Sequence, residues 1–126
     1  MQVTRTFDLL QQYSEKFADK DDALAGKVNG TWVKYSSLEY VAQSNLISYG
    51  LLELGFKPGD KIATVTNNRP EWNFVDMGMA QIGVIHVPLF NTLSQAGYRD
   101  ILIHSGAKYA FVSDLALAKK IDTLVK

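Results

Sequence analysis

The second half of the chain alternates short apolar strands with segments of helical spacing, and this order constrains the fold more than any other feature. The strand-like runs are "KIATVT" (61–66), "VIHVPL" (84–89) and "KYAFVS" (108–113). Continuous apolar runs of this length, bounded by turn residues, are typical of buried strands. Strands joined through helices form a parallel sheet with right-handed crossovers. The sequence therefore predicts an α/β fold in which residues 61–126 form a (βα)3 unit, layered α/β/α.

Start and stop signals delimit the helices of this unit. Pro70 suits the first helical position because its missing N–H would have no partner there, and this helix is expected to end near Gly83. Ser94 can cap the next helix, and Gly106 suits the left-handed position that closes it. Asp114 is predicted to begin a last helix. Each connection is short, as expected of a layered α/β unit.

A β-hairpin is predicted before the parallel unit, within "ALAGKVNGTWVKY" (23–35). Its turn is Asn29-Gly30, since both residues tolerate the positive φ of a type I′ turn. We expect this hairpin to form an edge or a small separate sheet. Residues 1–60 would then consist of a helix, the hairpin and a long helix, and residues 1–126 would form a single incomplete unit.

The two N-terminal helices also carry recognisable end signals. The first lies within "TFDLLQQYSEKFA", where Thr6 or Asp8 can act as its cap. The second lies within "SSLEYVAQSNLISYGLLELG", where Ser36 or Ser37 can cap the start and Gly55 can close the end. The sequence thus predicts both ends of the long helix from local chemistry alone.

Two helices are predicted to be apolar on both faces, at about 100° per residue. The helix over 37–54 carries a broad apolar face of Leu38, Val41, Ala42, Leu46, Tyr49 and Leu52, opposite a row of Tyr40, Ile47, Leu51 and Leu54. The helix over 70–82 places Trp72, Val75, Met79 and Ile82 opposite Phe74 and Met77. A helix that is apolar all round is buried. Both helices therefore need more cover than 126 residues easily supply.

Three explanations for these apolar faces stay open. The chain is a piece of a larger protein, or it forms oligomers, or aromatic and methionine side chains fill gaps in an irregular small domain. The segment over 115–126 favours the first explanation because its helical pattern continues to the last residue without a stop signal.

Composition excludes several classes of function. Lysine plus arginine equals aspartate plus glutamate, 13 each, which argues against a nucleic acid or an anionic membrane as partner. The absence of cysteine excludes disulfides, thiolate ligands and cysteine nucleophiles, and two histidines leave little material for a metal site. Without an apolar run suited to a signal peptide or a membrane span, we expect a cytoplasmic protein.

The sequence contains no motif that predicts catalysis. A dinucleotide-binding G-x-G-x-x-G, a P-loop and a G-x-S-x-G are all absent. His86 lies in the second predicted strand and is interpreted as a hydrogen-bonded core histidine rather than a base. Pro88 is expected to end that strand because it cannot donate to a sheet ladder. We interpret His104-Ser105-Gly106 as a helix end, and we assign no catalytic and no metal-binding residue.

Polar side chains follow two of the predicted strands where each strand ends. Asn67, Asn68 and Arg69 follow the first strand, and Asn91 and Thr92 follow the second. Open α/β sheets bind ligands at the carboxyl edge of their strands, and a helix N-terminus at that edge favours anions. These five residues are therefore candidates for a ligand-binding edge.

A structural interpretation of the same loop is favoured over a ligand site. Asn67 and Asn68 would shape the turn, since asparagine side chains bond readily to nearby backbone groups. Arg69 would cap the helix or pair with a local carboxylate such as Glu71 or Asp76. The residue pattern by itself therefore indicates an incomplete α/β unit and assigns no function to it.

A series of short motifs runs in order along the chain. Its pieces are Tyr35-Ser36, Leu54-Gly55, Gly59-Asp60-Lys61, Asn68-Arg69-Pro70-Glu71-Trp72, Gly83, Val87-Pro88-Leu89, Thr92 and Ser105-Gly106-Ala107-Lys108. This series resembles the N-terminal part of adenylate-forming enzymes, and long-chain acyl-CoA synthetases in particular. The likeness covers nearly the whole chain, and the Asn-Arg-Pro-Glu-Trp piece points to the long-chain branch.

The resemblance implies a scaffold rather than an active site. Full enzymes of this family activate a fatty acid with ATP and magnesium, and then transfer the acyl group to coenzyme A. The Ser/Thr/Gly-rich phosphate loop, the Tyr-Gly-x-Thr-Glu segment, the ribose-binding aspartate and the C-terminal catalytic lysine have no match in this sequence. The chain alone is therefore expected to bind no cofactor, while the whole enzyme would use ATP, magnesium and coenzyme A.

We expect an N-terminal fragment of a long-chain fatty-acid–CoA ligase that is inactive by itself. Its main partner would be the rest of its own polypeptide, and its apolar helix faces would otherwise support a homo-oligomer. The full enzyme would be cytoplasmic, or peripheral to the membrane that holds its fatty-acid substrate. The alternative is a stand-alone, non-catalytic α/β interaction module derived from the same family.

Overall fold

The computed structural model describes residues 2–122, and its order of elements is the predicted one. The elements are α1 (Asp8–Lys16), β1 (Leu24–Val28), β2 (Thr31–Tyr35), α2 (Ser37–Glu53), β3 (Lys61–Val65), α3 (Pro70–Gln81), β4 (Ile85–Leu89), α4 (Gln95–Ser105), β5 (Tyr109–Val112) and α5 (Leu115–Asp122). The portion of the last helix predicted over 123–126 lies outside the described residues.

The three later strands form one parallel sheet in the order β4-β3-β5. In the central strand, Ala63 lies opposite Val87 of β4 and Ala110 of β5. The β1–β2 hairpin forms a separate two-stranded sheet, and Asn29 and Gly30 have φ values of 50° and 81°. The predicted parallel unit and the hairpin turn are both confirmed.

Successive residues of β3 point to opposite sides of the sheet and separate two apolar layers. Ile62 packs with Leu51 of α2 and Val75 of α3. Ala63 packs on the other side with Tyr98 of α4, in a cluster that also includes side chains of α5. The α/β/α layering predicted from the sequence is therefore confirmed.

Of the three strands in the described parallel sheet, only β3 is largely buried, from Ile62 to Val65, so the prediction of three buried strands is wrong for β4 and β5. Both lie at an edge of the described sheet, and Tyr109 of β5 is 60% exposed. The prediction that Pro88 ends β4 is also wrong, because β4 continues to Leu89 and Pro88 lies opposite Thr64. An edge strand tolerates proline since its other side has no ladder partner in the described sheet.

Local capping chemistry defines both ends of α2 as predicted. The Ser36 hydroxyl accepts the N–H of Glu39, and the Glu39 carboxylate accepts the N–H of Ser36. This capping box satisfies two backbone donors at the helix start. Gly55 closes the helix at φ 88°, and the N–H of Phe56 donates to the carbonyl of Leu51.

Both predicted end signals of α4 are correct, and the predicted start of the last helix at Asp114 is confirmed. Ser94 accepts the N–H of Gly97 at the start of α4, Gly106 ends it at φ 70°, and Asp114 accepts the N–H of Leu117 in α5. The cap predicted for α1 is wrong.

At the start of α1, neither Thr6 nor Asp8 caps the helix, whose N-cap residue is Phe7. The Asp8 carboxylate instead accepts the backbone N–H groups of Thr4 and Arg5, which precede the helix. The Arg5 guanidinium bonds the same carboxylate and, with these N–H groups, holds the pKa of Asp8 well below its usual range. The carboxylate thus organises the turn before the helix.

The two helices predicted to be apolar on both faces differ in the structure. Phe74, Val75, Met77 and Met79 of α3 are all buried, which confirms the prediction for that helix. The broad apolar face of α2 is exposed, with Leu46 at 60% and Tyr49 at 67%. The buried face of α2 instead carries Tyr40, Leu51 and three serines, Ser37, Ser44 and Ser48.

Small residues bring α2 and α3 into close contact. The Ser48 hydroxyl donates to the carbonyl of Gly78 at 2.7 Å, and the Gln81 amide donates to the Ser48 hydroxyl at 2.9 Å. A Cβ atom at Gly78 would lie 2.5 Å from Cγ2 of Ile47, which no relaxed pair of carbons tolerates. Glycine at this position is therefore required by the helix contact.

We expect Gly78→Ala to lower the free energy of unfolding by about 1–3 kcal/mol, because the added methyl group overpacks the α2–α3 contact. Urea unfolding measures this change. Gly50→Ala is the matched control, since Gly50 is also helical and its Cβ would meet nothing within 4 Å. That control is expected to raise stability by roughly 0.5–1 kcal/mol. Equal effects of the two substitutions would contradict the proposed close contact.

Candidate functional site

A cleft opens at the carboxyl edge of the parallel sheet, where the chain leaves β3 and β4 toward opposite layers. Such divergence is the usual origin of ligand clefts in open α/β sheets. The cleft has a volume of about 520 Å³, and we call it the edge cleft. Its lining residues are Thr66, Asn68, Arg69, Trp72, Asn73, Pro88, Leu89, Phe90 and Asn91.

The edge cleft combines an apolar wall with side-chain amides. Trp72, Leu89 and Phe90 supply the apolar surface, and Asn68 and Asn73 stand among the polar groups. Apolar walls with a few convergent hydrogen-bonding groups suit the binding of a small molecule. Among residues 2–122, no group of three or more histidine or acidic side chains could hold a metal ion. The lining of the cleft is therefore suited to binding a small molecule.

A polar network beside the cleft ties together the loops that follow all three parallel strands. The Asn91 amide donates to the Asn67 side-chain oxygen at 2.6 Å, and the Asn67 amide donates to Asp114 at 3.3 Å. The backbone N–H of Asn67 donates to the Ser113 hydroxyl at 3.0 Å. The side chain of Asn67 is thus the hub of this edge, and these hydrogen bonds support the structural interpretation of the loop.

Arg69 pairs with a local carboxylate, as that interpretation also predicts. Its guanidinium donates two hydrogen bonds to Glu71, each 2.9 Å long. These bonds raise the pKa of Arg69 and lower that of Glu71. A lowered carboxyl pKa stabilises the folded chain above the ordinary glutamate pKa, and this contribution is lost as the pH falls. With both side chains 43% exposed, the contribution is small.

The structure brings together four of the five ligand-edge candidates. Asn68, Arg69 and Asn91 line the edge cleft, and Asn67 joins Asn91 from the adjoining network. Thr92 is exposed in the turn after β4 and is not among the cleft residues. A role of these residues in ligand binding stays a prediction.

His86 lies at the centre of a second polar cluster, under the apolar wall of the cleft. Its Nε2 atom is 2.7 Å from the Thr64 hydroxyl, and its Nδ1 atom is 2.6 Å from a carboxylate oxygen of Asp76. The Trp72 ring packs against the imidazole, with centroids 5.0 Å apart. The prediction of a hydrogen-bonded core histidine is confirmed. Its partners come from β3 and α3, so no local sequence signal identifies them.

The model of the AMP-binding enzyme family matches residues 10–126, nearly the whole sequence. The chain belongs to the AMP-binding enzyme family. Its resemblance to adenylate-forming enzymes, predicted from the ordered motifs, is thereby confirmed.

Curated members of this AMP-binding family share part of the sequence. A long-chain-fatty-acid–CoA ligase, FadD15 of Mycobacterium bovis, is 29% identical over 84 residues, which are 67% of this chain and 14% of the relative. A crotonobetaine/carnitine–CoA ligase of Escherichia coli is 37% identical over 82 residues, which are 65% of this chain and 15% of the relative. The chain thus spans about one seventh of the length of these relatives.

Solved structures of other proteins share the fold of this chain. The N-terminal domain of FACL13 from Mycobacterium tuberculosis superposes with a TM-score of 0.80 at 24% identity, over 96% of this chain and 29% of that one. VinN bound to L-aspartate superposes with a TM-score of 0.84 at 19% identity, over 96% of this chain and 33% of that one. At these identities the likeness establishes the fold alone.

Within residues 2–122, none of the helices has both the length and the apolar character needed to cross a membrane.

We expect Asn67→Ala to lower the free energy of unfolding by about 1 kcal/mol, because it removes the side-chain bonds to Asn91 and Asp114. Urea unfolding at neutral pH measures the change. The control is Thr92→Ala, which removes a polar side chain from the exposed turn after β4. Its free energy of unfolding should stay within about 0.5 kcal/mol of the parent value. A larger loss from Thr92→Ala than from Asn67→Ala would contradict the role assigned to the network.

Proposed function

We propose that this chain is the N-terminal scaffold of a fatty-acid–CoA ligase, and that the adenylating and thioester-forming chemistry belongs to the whole enzyme. The observation that carries this proposal is the family match over residues 10–126 in a chain that spans only 14–15% of its curated relatives. The whole enzyme would activate a fatty acid with ATP and magnesium, and would then transfer the acyl group to coenzyme A.

The residues present do not fit a magnesium–triphosphate site by themselves. Arg69 is the cation among the residues that line the edge cleft, and it is already paired with Glu71. The described residues contain no acidic cluster suited to a metal ion, and the sequence has no glycine-rich phosphate loop. The edge cleft therefore supports no catalytic step with ATP, and the 126-residue chain is proposed to be inactive.

The choice of a fatty acid as substrate follows from the motif series and from one of the relatives. FadD15 carries the name of a long-chain-fatty-acid–CoA ligase, whereas the Escherichia coli relative is named for crotonobetaine and carnitine. These substrates differ in that one is a long apolar chain and the other is a small charged molecule. A direct comparison of the two acids therefore tests the finer part of the proposal.

We expect the whole enzyme to catalyse ATP–pyrophosphate exchange that depends on a long-chain fatty acid, and the 126-residue chain to catalyse none. The exchange assay uses radiolabelled pyrophosphate with palmitate, carnitine or no acid. Exchange that depends on carnitine instead of palmitate would overturn the fatty-acid assignment and leave the family assignment intact. Clear exchange by the 126-residue chain would overturn the scaffold proposal.

We also propose that the rest of the polypeptide covers the apolar surfaces left open here. One surface is the outer face of α2, where Leu38, Leu46, Tyr49 and Leu52 are exposed. The other is an apolar groove of about 750 Å³ between α4, α5 and the edge of β5. The length of the relatives favours this occupant, since they carry some six-sevenths of their chain beyond the matched portion. A homo-oligomer is the competing occupant.

We expect Leu46→Glu to lower the unfolding temperature of the whole enzyme, because it would place a charge in a covered apolar contact. The free energy of unfolding should fall by on the order of 2 kcal/mol. In the 126-residue chain alone the same change should have little effect, since Leu46 is exposed there. Gln43→Glu, at another exposed position of α2, is the control for added charge. Equal sensitivity of the isolated chain, with loss of a dimer by light scattering, would favour the homo-oligomer.

A second candidate function rests on the same exposed face of α2. A stand-alone, non-catalytic module of this family would use that face to bind another protein chain. The mass of the native gene product distinguishes the two functions. A product near 14.0 kDa would contradict the ligase-scaffold proposal and would favour the stand-alone module. For the whole enzyme we propose a cytoplasmic location, peripheral to the membrane that holds its apolar substrate.

A further inference from the structure

The cluster of Thr64, His86 and Asp76 contains the residue types of a hydroxyl nucleophile, its base and an orienting carboxylate. The geometry matches as well, since both contacts of the imidazole are shorter than 2.8 Å. Access excludes this reaction, because Thr64 is 2% exposed and the imidazole is 10% exposed. No acyl or phosphoryl group can reach a hydroxyl buried beneath α3. Nucleophilic catalysis is therefore excluded, and the hydrogen bonds of the cluster indicate a different role.

Asp76 determines which imidazole nitrogen carries a proton. An ionised carboxylate is an acceptor only, so its 2.6 Å contact with Nδ1 requires a hydrogen on that nitrogen. The Thr64 hydroxyl can then donate its hydrogen to Nε2. A second ring proton on Nε2 would take that acceptor away from a buried hydroxyl. The arrangement that satisfies all three groups is the Nδ1–H tautomer.

The fixed imidazole lies against the wall of the edge cleft. Trp72 and Asp76 are four residues apart on α3 and share one face of the helix, directed at His86 of β4. The carboxylate orients the imidazole, and the indole of Trp72 rests on it at a tilt of 48°. Trp72 in turn lines the edge cleft. The hydrogen-bonded imidazole thus lies directly against one wall of the cleft.

We propose that His86 is a positioning residue whose Nδ1–H tautomer, set by Asp76 and completed by Thr64, holds Trp72 as the apolar wall of the edge cleft. This role differs from ligand binding and from catalysis, since His86 itself is not among the residues that line the cleft. It also goes beyond the proposed ligase function, because it follows from the geometry of α3, β3 and β4 alone.

The experiment is nitrogen-15 NMR of the imidazoles in the 126-residue chain, which has two histidines. His104→Gln removes the other signal pair and assigns that of His86. In the parent protein at neutral pH, we expect Nδ1 to resonate as a protonated nitrogen and Nε2 as an unprotonated one. Observation of the opposite tautomer, or of an average of the two, would overturn the proposal. This test needs no substitution within the cluster itself.

Two substitutions separate the contributions of Asp76 and Thr64. Asp76→Leu should switch the ring to the Nε2–H tautomer, because the Thr64 hydroxyl can accept as well as donate. Thr64→Val, which is close to isosteric, should leave the proton on Nδ1. Asp76→Asn should also leave it there, since the amide oxygen still accepts. An Nδ1–H tautomer that persists in folded Asp76→Leu would show that Asp76 does not set it.

The position of Trp72 is read by its fluorescence in a Trp32→Phe background, which removes the other tryptophan. We expect Asp76→Leu to shift the emission of Trp72 to longer wavelength and to raise its quenching by acrylamide, while Asp76→Asn restores the parent values. Circular dichroism confirms that each variant is folded. An unchanged Trp72 signal in folded Asp76→Leu would mean that packing alone places the indole, and would overturn the positioning role.

Discussion

The close contact between α2 and α3 is the constraint on which the rest of the structure depends. Helix α3 packs against both α2 and the sheet, so its position fixes both the apolar layer that they share and the cleft at its N-terminus. The contact is made by Gly78 and by the hydroxyl of Ser48, which leave room for the two backbones to approach. A larger side chain on either helix would move α3 and, with it, one side of the edge cleft.

Different physical forces hold the two sides of α3. Toward α2 the contact combines small residues, one buried hydroxyl and apolar side chains such as Ile47. Toward the sheet, the apolar contact of Val75 and Met79 with Ile62 gives way near the carboxyl edge to the hydrogen bonds around His86. Apolar packing is tolerant of small shifts, whereas hydrogen bonds specify direction. The directional contacts thus lie where the helix borders the cleft.

Most features set by neighbouring residues were predictable from the sequence, although the cap of α1 was not, and features set by distant residues were missed. Ser94, Gly55 and the Asn29-Gly30 turn act on backbone groups a few residues away, so their patterns identified the helix ends and the hairpin. The serine-lined inner face of α2 was missed because an apolar pattern assigns serine to the outside. Ser44 is buried there because its hydroxyl donates to the carbonyl of Tyr40 within the same helix. Ser44 is thus satisfied within its own helix, whereas Ser48 also bonds to Gly78 and Gln81 of α3.

In the candidate site, contacts between residues distant in the sequence are more important still, and these were not predictable. The five ligand-edge residues follow from strand order, but the bond between Asn67 and Asn91 and the carboxylate of Asp76 beneath the cleft are products of tertiary packing. The polar groups that the sequence places at the carboxyl edge mostly satisfy one another, since Asn67 bonds to Asn91 and Arg69 bonds to Glu71. A group that already has its partner must lose that bond before it can bind a ligand. The main role of these side chains is therefore to join three loops. The apolar wall and the remaining amides of the cleft are the groups left for a ligand.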